Sequence, residues 1–385
     1  MADASISLTV SVNADDKRIY LYENNSDNSF WAQEFTSTAI NDAFFEQLCR
    51  VLLAYKQSRP YLSLENVSLV LPDRFFLTDM LTVPNLGKKA AGNSLNLVIG
   101  TVYKNKNELA YNTFPLFQNK QTMVFGMVGA RKAFLNSIRH ICQKNAISVK
   151  NITFAANSMA NAAMALNPKV RTGAGLLMDI QETYTRFAFL NKGRTLGAYT
   201  LPFGYSILYK SRLADEEQLF DYASAELLVI NAKEKARAKR LTVMTDEDLN
   251  NPNPLAPQPG APLNAEGNEP EEEVVENLGG RKLPKFMLRQ IPVDAQGFVF
   301  ENFRIFVKWA LELLCSNTKI TALESVETVY VNMPGEYAFL FDMVNREEKE
   351  NGVTFSPLLA DNALCKPLEL FGGFFVKQYN KLNNF

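Results

Sequence analysis

Apolar and polar positions alternate from the start of the chain: Ile6, Leu8, Val10 and Val12 interleave with Ser5, Ser7, Thr9 and Ser11. A period of two predicts a half-buried strand, one face in a core and the other toward water. The polar turn Asn13-Ala14-Asp15-Asp16 leads into an apolar return from Arg18 to Tyr22, so the chain is expected to open on a β-hairpin. Behind Asn41, a capping residue, Phe44, Leu48, Val51, Leu52 and Tyr55 recur at helical spacing. Val67 to Leu71 reads as a short strand stopped by Pro72-Asp73.

From Phe75 to Phe154 the pattern predicts a separate α/β unit. A strand-like segment comes first, then a helix from Leu86 or Gly87 and strands over Leu109 to Leu116 and Thr122 to Val128. An amphipathic helix from Ala130 to Lys144 follows, burying Phe134, Ile138 and Ile141. A helix rich in Ala and Met starts at Asn157 or Ser158 and stops at Asn167-Pro168, with side chains small enough for close packing. The opening pattern then recurs. Gly175 to Met178 is a buried strand ending at Asp179, a turn runs through Gln181-Glu182-Thr183, and Thr185, Phe187 and Phe189 alternate in a returning strand. Asn191-Lys192-Gly193 turns the chain into a further strand reaching Leu201-Pro202. Each half thus begins strand, polar turn, strand, which hints at an internal duplication.

Asp215 to Arg240 is a helix candidate with acidic residues early and basic ones late, as a helix dipole favours. Its basic run Lys233 to Arg240 reads as a solvated face, because no aromatic-bearing basic surface adjoins it. Over 245–284 the composition changes: Pro252, Pro254, Pro257, Pro259, Pro262 and Pro270 surround an acidic run, Glu271 to Glu273, with almost no aromatic residue. Such a stretch buries too little to order itself and is expected to be a disordered acidic insertion. Amphipathic helix resumes over Phe298 to Cys315, followed by a strand over Val326 to Val331, a turn at Asn332-Met333-Pro334-Gly335 and a helix from Glu336 to Asn345. The Phe-rich run Leu368 to Phe375 is expected to pack as a final helix rather than to anchor in a membrane surface.

At 385 residues the chain exceeds what one core usually organises, so two lobes or several subdomains are expected. A net charge of -1 provides no overall field toward nucleic acid or anionic lipid, and no nucleic-acid partner is expected. The four cysteines, Cys49, Cys142, Cys315 and Cys365, lack paired spacing and read as buried reduced thiols. The opening MADASISLTVSV has neither the basic region nor the long apolar run of a secretory leader, and no stretch reaches the roughly 20 apolar residues of a spanning helix. The expected compartment is therefore the cytoplasm, with membrane contact only peripheral or through a partner. His140, the single histidine, sits in a helix beside Ile141 and reads as structural. No zincin, CxxC, EF-hand or Walker pattern occurs, so no catalytic residue and no metal site are predicted.

The order of elements resembles the actin-like ATPase superfamily and, within it, the PilM/FtsA branch. The clearest stretch is Leu176-Leu177-Met178-Asp179-Ile180-Gln181-Glu182-Thr183-Tyr184-Thr185, followed by Phe187 to Gly193 and by Tyr199-Thr200-Leu201-Pro202-Phe203-Gly204. It is similar to the family's second phosphate-binding hairpin. Val67 to Pro72 and Val124 to Lys132 also resemble PilM-type segments, the latter closing an inserted subdomain 1C.

The resemblance implies a two-lobed α/β actin-like (ribonuclease H-like) fold with a 1C-type insertion. It divides the chain into a first-lobe core (1–74), the insertion (75–155), a connecting helix (156–172), the second lobe (173–244 and 285–385) and the acidic insertion between its parts. Asp179, Thr183, Thr185 and Gly335 are then the candidate nucleotide-binding residues, with ATP and Mg²⁺ as the implied cofactor. The turns depart from the family pattern, however. Gln181 replaces the glycine after the Asp, Ser11-Val12-Asn13-Ala14 replaces Asp-x-Gly-Ser unless Asp15 or Asp16 substitutes, and Met333-Pro334-Gly335 replaces a Gly-Gly. The expectation is a pseudo-ATPase scaffold without a cofactor, at the inner face of the cell membrane. Its implied partner is the cytoplasmic segment of an inner-membrane pilus or secretion protein, docked at the 1C region, with self-association also open. A polymerising actin-like ATPase and an FtsA-like division tether are the alternatives.

Overall fold

A computed structural model describes residues 6–14, 17–23, 30–37, 39–201, 204–206, 208, 297, 299–304, 328–347, 354–358, 367–375 and 385. The helix expected over Asp215 to Arg240, the acidic insertion, most of Phe298 to Cys315, and Asp15, Asp16, Pro202, Cys315 and Cys365 lie outside them.

The first lobe is a five-stranded sheet, in the order β3-β2-β1-β4-β8. It comprises β1 (Leu8–Asn13), β2 (Arg18–Glu23), β3 (Phe30–Glu34), β4 (Val67–Leu71) and β8 (Val149–Phe154). β2 runs antiparallel to β1 and β3, whereas β1, β4 and β8 are parallel. The second lobe repeats this in the order β11-β10-β9-β12-β13. Its strands are β9 (Ala174–Ile180), β10 (Thr185–Asn191), β11 (Arg194–Leu201), β12 (Thr328–Asn332) and β13 (Thr354–Pro357). Again three antiparallel strands lead into parallel ones, with Gly175 opposite Thr328 as Leu8 is opposite Val67. The duplication hinted at by the two hairpins is thus a duplication of whole sheets, and this paired order is the two-lobed actin-like fold.

Between β4 and β8 the chain leaves the first sheet to build a three-stranded one, β5-β7-β6. Its strands are β5 (Leu77–Pro84), β6 (Leu109–Gln118) and β7 (Thr122–Arg131), and α2 (Lys88–Val102) lies over them. Leu81, Val83, Leu95, Ile99, Tyr103 and Met127 form its own small core. α3 (Lys132–Lys144) then returns to pack on α1 (Asp42–Gln57), and Asn41 caps α1 by accepting from the Phe44 amide at 3.1 Å. The Cys49 thiol of α1 donates to the Cys142 sulfur of α3 at 3.9 Å, and both are buried thiols without a disulfide.

Two expectations change. The β1 alternation predicts one wet face, but Thr9, Ser11 and Asn13 are as buried as Leu8 and Val10. The reason is α6 (Leu368–Gly372): the 3₁₀ turn that continues it sets Gly373 against the Thr9 side chain, so the polar face of β1 meets protein rather than water. His140, expected to be structural, is exposed on the outer face of α3.

The lobes join through two helices. α4 (Ala155–Leu166) leaves the end of β8, α5 (Phe339–Glu347) lies between β12 and β13, and α6 is the next described helix after β13. They cross at small residues, as the Ala-rich pattern predicts: a Cβ placed on Gly372 would lie 1.6 Å from the Ser158 carbonyl oxygen and 3.0 Å from the Ala162 nitrogen. Backbone cannot yield as a flexible side chain does. Gly372→Ala is therefore expected to cost about 3 kcal/mol or more, at the upper end of overpacking effects. Gly173→Ala, with nothing near its added carbon, should cost far less; urea denaturation of the two variants compares them.

Candidate functional site

The two hairpin turns meet between the lobes. Asn13, closing β1, donates through Nδ2 to the Tyr184 hydroxyl at 2.8 Å, just before β10. α6 enters the same space and presents Glu369. Its Oε1 accepts from Ser11 Oγ at 3.1 Å and from Asn13 Nδ2 at 3.4 Å. Its Oε2 pairs with Arg186 of β10. Ser158 of α4 holds the Glu369 carbonyl at 2.6 Å. Arg186 lies beside Asp73 as well, Nε to Oδ2 at 4.0 Å, over the Tyr184 ring at 5.5 Å, and within reach of Thr200 Oγ1 at 3.4 Å. Arg186 is 3% exposed and Glu369 0%, so this is a buried ion pair with hydrogen-bonding neighbours from three elements, β1, α4 and β11.

A second carboxylate sits one strand away. Asp179, near the end of β9 and 0% exposed, accepts from Gln181 Nε2 at 2.7 Å, from Asn332 Nδ2 at 2.6 Å and from the Leu368 amide at 3.0 Å. The last of these caps the first turn of α6. Asp73 does the same for α4, accepting from the Ala156 amide at 2.9 Å. Each connecting helix is thus held at its start by an aspartate, Asp179 near the end of β9 and Asp73 in the turn just beyond β4. Burial pushes the Asp179 carboxyl up, against the opposing pull of these donors and of Arg186.

Of the residues singled out by sequence, Asp179 is built into this network. Thr183 is exposed in the turn, Thr185 is buried at the start of β10, and Gly335 is half-buried three positions beyond Asn332. The Gly204 of the Pro-x-Gly element lies directly on the β9–β10 turn, where a Cβ would come within 2.0 Å of the Gln181 oxygen. The following amides, Tyr205 and Ser206, donate to the Gln181 and Glu182 carbonyls at 2.8 and 3.1 Å. That part of the predicted hairpin is assembled as the sequence implies. Glu369, Arg186 and Asn332 were not predicted. The first two carry a usable signal, since each is a charge inside a run that is otherwise apolar, and such a charge needs a partner.

No protein-family model matches the chain, and no curated protein matches it. Solved structures are similar to it at low identity. A PilM–PilN type IV pilus biogenesis complex is similar at 11% identity, over 98% of this chain and 93% of that one, with a TM-score of 0.46. MreB 5 of Spiroplasma citri bound to AMPPNP is similar at 11% identity over 98% and 97%, with a TM-score of 0.38. The cytoplasmic domain of EpsL, an inner-membrane component of the type II secretion system of Vibrio cholerae, is similar at 12% identity over 55% and 77%, with a TM-score of 0.32. The fold assignment rests on the duplicated strand order and not on these distant likenesses.

Asp179 gives a pH test. A carboxyl whose folded pKa is raised stabilises the fold below its unfolded pKa, about 3.9, and loses that contribution as pH rises through the folded value. Asp179→Asn removes this titration but turns an amide toward one of the N–H donors. Its cost, about 1–3 kcal/mol for a mismatched buried group, is therefore expected to shrink as pH rises above the ordinary carboxylate range. Denaturation midpoints of the two proteins from pH 4 to pH 8 check the sign.

Proposed function

We propose that this chain is a cytoplasmic actin-like scaffold that holds an inner-membrane partner of a pilus or secretion machine and does not work by turning over nucleotide. One observation carries the second half: the space between the hairpins is filled by the protein's own Arg186–Glu369 pair. The side chains there fit a nucleotide phosphate and its Mg²⁺ poorly. Asp179 is already engaged by three donors, the Gln181 side chain stands where close backbone approach would need glycine, and a buried carboxylate would face the phosphate charge. Turn capping and helix anchoring are what these residues do instead.

The first half draws on the sequence resemblance and on the place of the three-stranded unit between β4 and β8. The docking region is assigned to 75–155. Among the described residues the large exposed apolar side chains are Tyr61, Leu86, Leu97 and Val102, and the last three sit on α2 or its entry. Leu97 is 73% exposed, a surface suited to an apolar segment of a membrane protein. No helix among the described residues is long and apolar enough to cross a membrane; contact with the membrane is assigned to the partner. The tether alternative loses support from α6, whose Leu368 and Leu370 are 1% exposed.

Two measurements test the two halves separately. Calorimetry with Mg·ATP and Mg·ADP at millimolar concentration is expected to give no binding heat; saturable binding would overturn the nucleotide-independent reading. The chain is expected to sediment with inner-membrane vesicles of its source cells and not with protein-free lipid vesicles. Leu97→Glu should weaken that association at least tenfold. Unchanged association in this variant would remove the assignment to the inserted unit.

A further inference from the structure

We infer that Glu369 is a built-in occupant of an oxyanion cradle made jointly by the two hairpins, so that the cradle is filled in cis rather than dismantled. This rests on the reading of a nucleotide-independent scaffold and gives it a cause. The donors around the carboxylate are a hydroxyl from β1 (Ser11), an amide from the end of β1 (Asn13) and a guanidinium from β10 (Arg186). All are directed at one pair of oxygens, and all are at most 3% exposed. A neutral hydroxyl, a neutral amide and a cation converging on one point form a donor set for an anionic oxygen group, and such charge-assisted bonds are strong away from water. The set comes from both lobes, whereas the acceptor comes from a third element, α6.

The anion is therefore the separable part. Without the Glu369 carboxylate, Arg186 would keep Asp73, at 4.0 Å and 32% exposed, as an ion-pair partner, Asn13 would keep the Tyr184 hydroxyl, and the Ser11 hydroxyl would lose its bond to the carboxylate. A small free oxyanion, inorganic phosphate or formate, has the charge and the lone pairs to replace it. In the native chain it cannot compete, because the carboxylate is tethered beside the donors at a high effective concentration.

The test uses the full chain and inorganic phosphate. Glu369→Ala is expected to melt at a lower temperature than the wild type and to be stabilised by phosphate in a saturable manner. Its apparent Kd should be at least tenfold tighter than any seen with the wild type, and sodium chloride of equal ionic strength should not reproduce the effect. Formate is expected to act in the same way. The double variant Glu369→Ala/Arg186→Met should not respond. Equal phosphate responses in wild type and Glu369→Ala, or a response retained in the double variant, would overturn the inference. If Glu369→Ala does not fold in phosphate-free buffer, recovery of its near-ultraviolet dichroism on adding phosphate supports the cradle. No recovery, with Glu369→Gln folded and as indifferent to phosphate as the wild type, overturns it. Binding of Mg·ATP by the wild type would instead overturn the scaffold reading, so the two failures are distinct.

Discussion

The Arg186–Glu369 pair ties together parts of the chain that are far apart in sequence: the first strand, the second hairpin and the late helix α6. Neither charge has appreciable access to water, so each must be answered in place. Removing one partner of such a pair leaves the other uncompensated, at a cost of about 3–5 kcal/mol, while replacing both with apolar groups is often close to neutral. The pair therefore does less for total stability than for geometry. It selects the arrangement of β1, β10 and α6 in which no buried charge is left over. The aspartate caps reinforce this choice, because Asp179 fixes the start of α6 and Asp73 the start of α4.

That arrangement is open to the backbone only because the connecting helices are narrow where they cross. Ser158 and Ala162 on α4 and Gly372 on α6 let main chain approach main chain, and Gly373 lets the end of α6 rest on Thr9. Close approach then excludes water from the polar face of β1, which turns Ser11 and Asn13 from surface groups into buried donors needing an acceptor. Packing comes first in this chain of causes and electrostatics second. The small residues create the dry space, and Glu369 satisfies what that space leaves wanting.

Much of the framework could be read from the sequence. The opening hairpin, the cap at Asn41, β4, the strands and helices of the inserted unit, and the repeat from Gly175 to Leu201 follow from local periodicity, which a sequence displays directly. β3 and β13 escaped because they are short; β3 lies half-exposed at one edge of its sheet and β13 at the edge of the other, so neither shows a clean apolar pattern. The solvent face assigned to β1 was wrong for a related reason. Alternation of apolar and small polar residues marks two unlike faces, but it does not say whether the polar one meets water or another polar surface. The site was legible only in its aspartate. Asp179 falls in a recognisable strand-turn-strand, whereas its partner Asn332 and the Arg186–Glu369 pair are joined by contacts 153 and 183 residues apart in the chain. No local window contains both halves of such a pair.

A two-lobed protein that responds to a ligand needs the ligand to bind one arrangement of the lobes better than another, because a population shifts only by that difference in affinity. A carboxylate that is part of the chain is always present and cannot vary in concentration. On the proposed reading, Glu369 holds the lobes together by a contact that nucleotide concentration does not tune. Separating them would mean withdrawing α6 from Ser11, Asn13 and Arg186 together and exposing the tightly packed α4–α6 crossing. The three-stranded unit adds a small core of its own, while Phe114, Val128 and Ala130 tie its strands into the first-lobe core, and it presents exposed apolar side chains on α2 and its entry. Under the proposed reading, the lobes stay fixed while α2 of the three-stranded unit holds the partner, which is the division of labour that a scaffold requires.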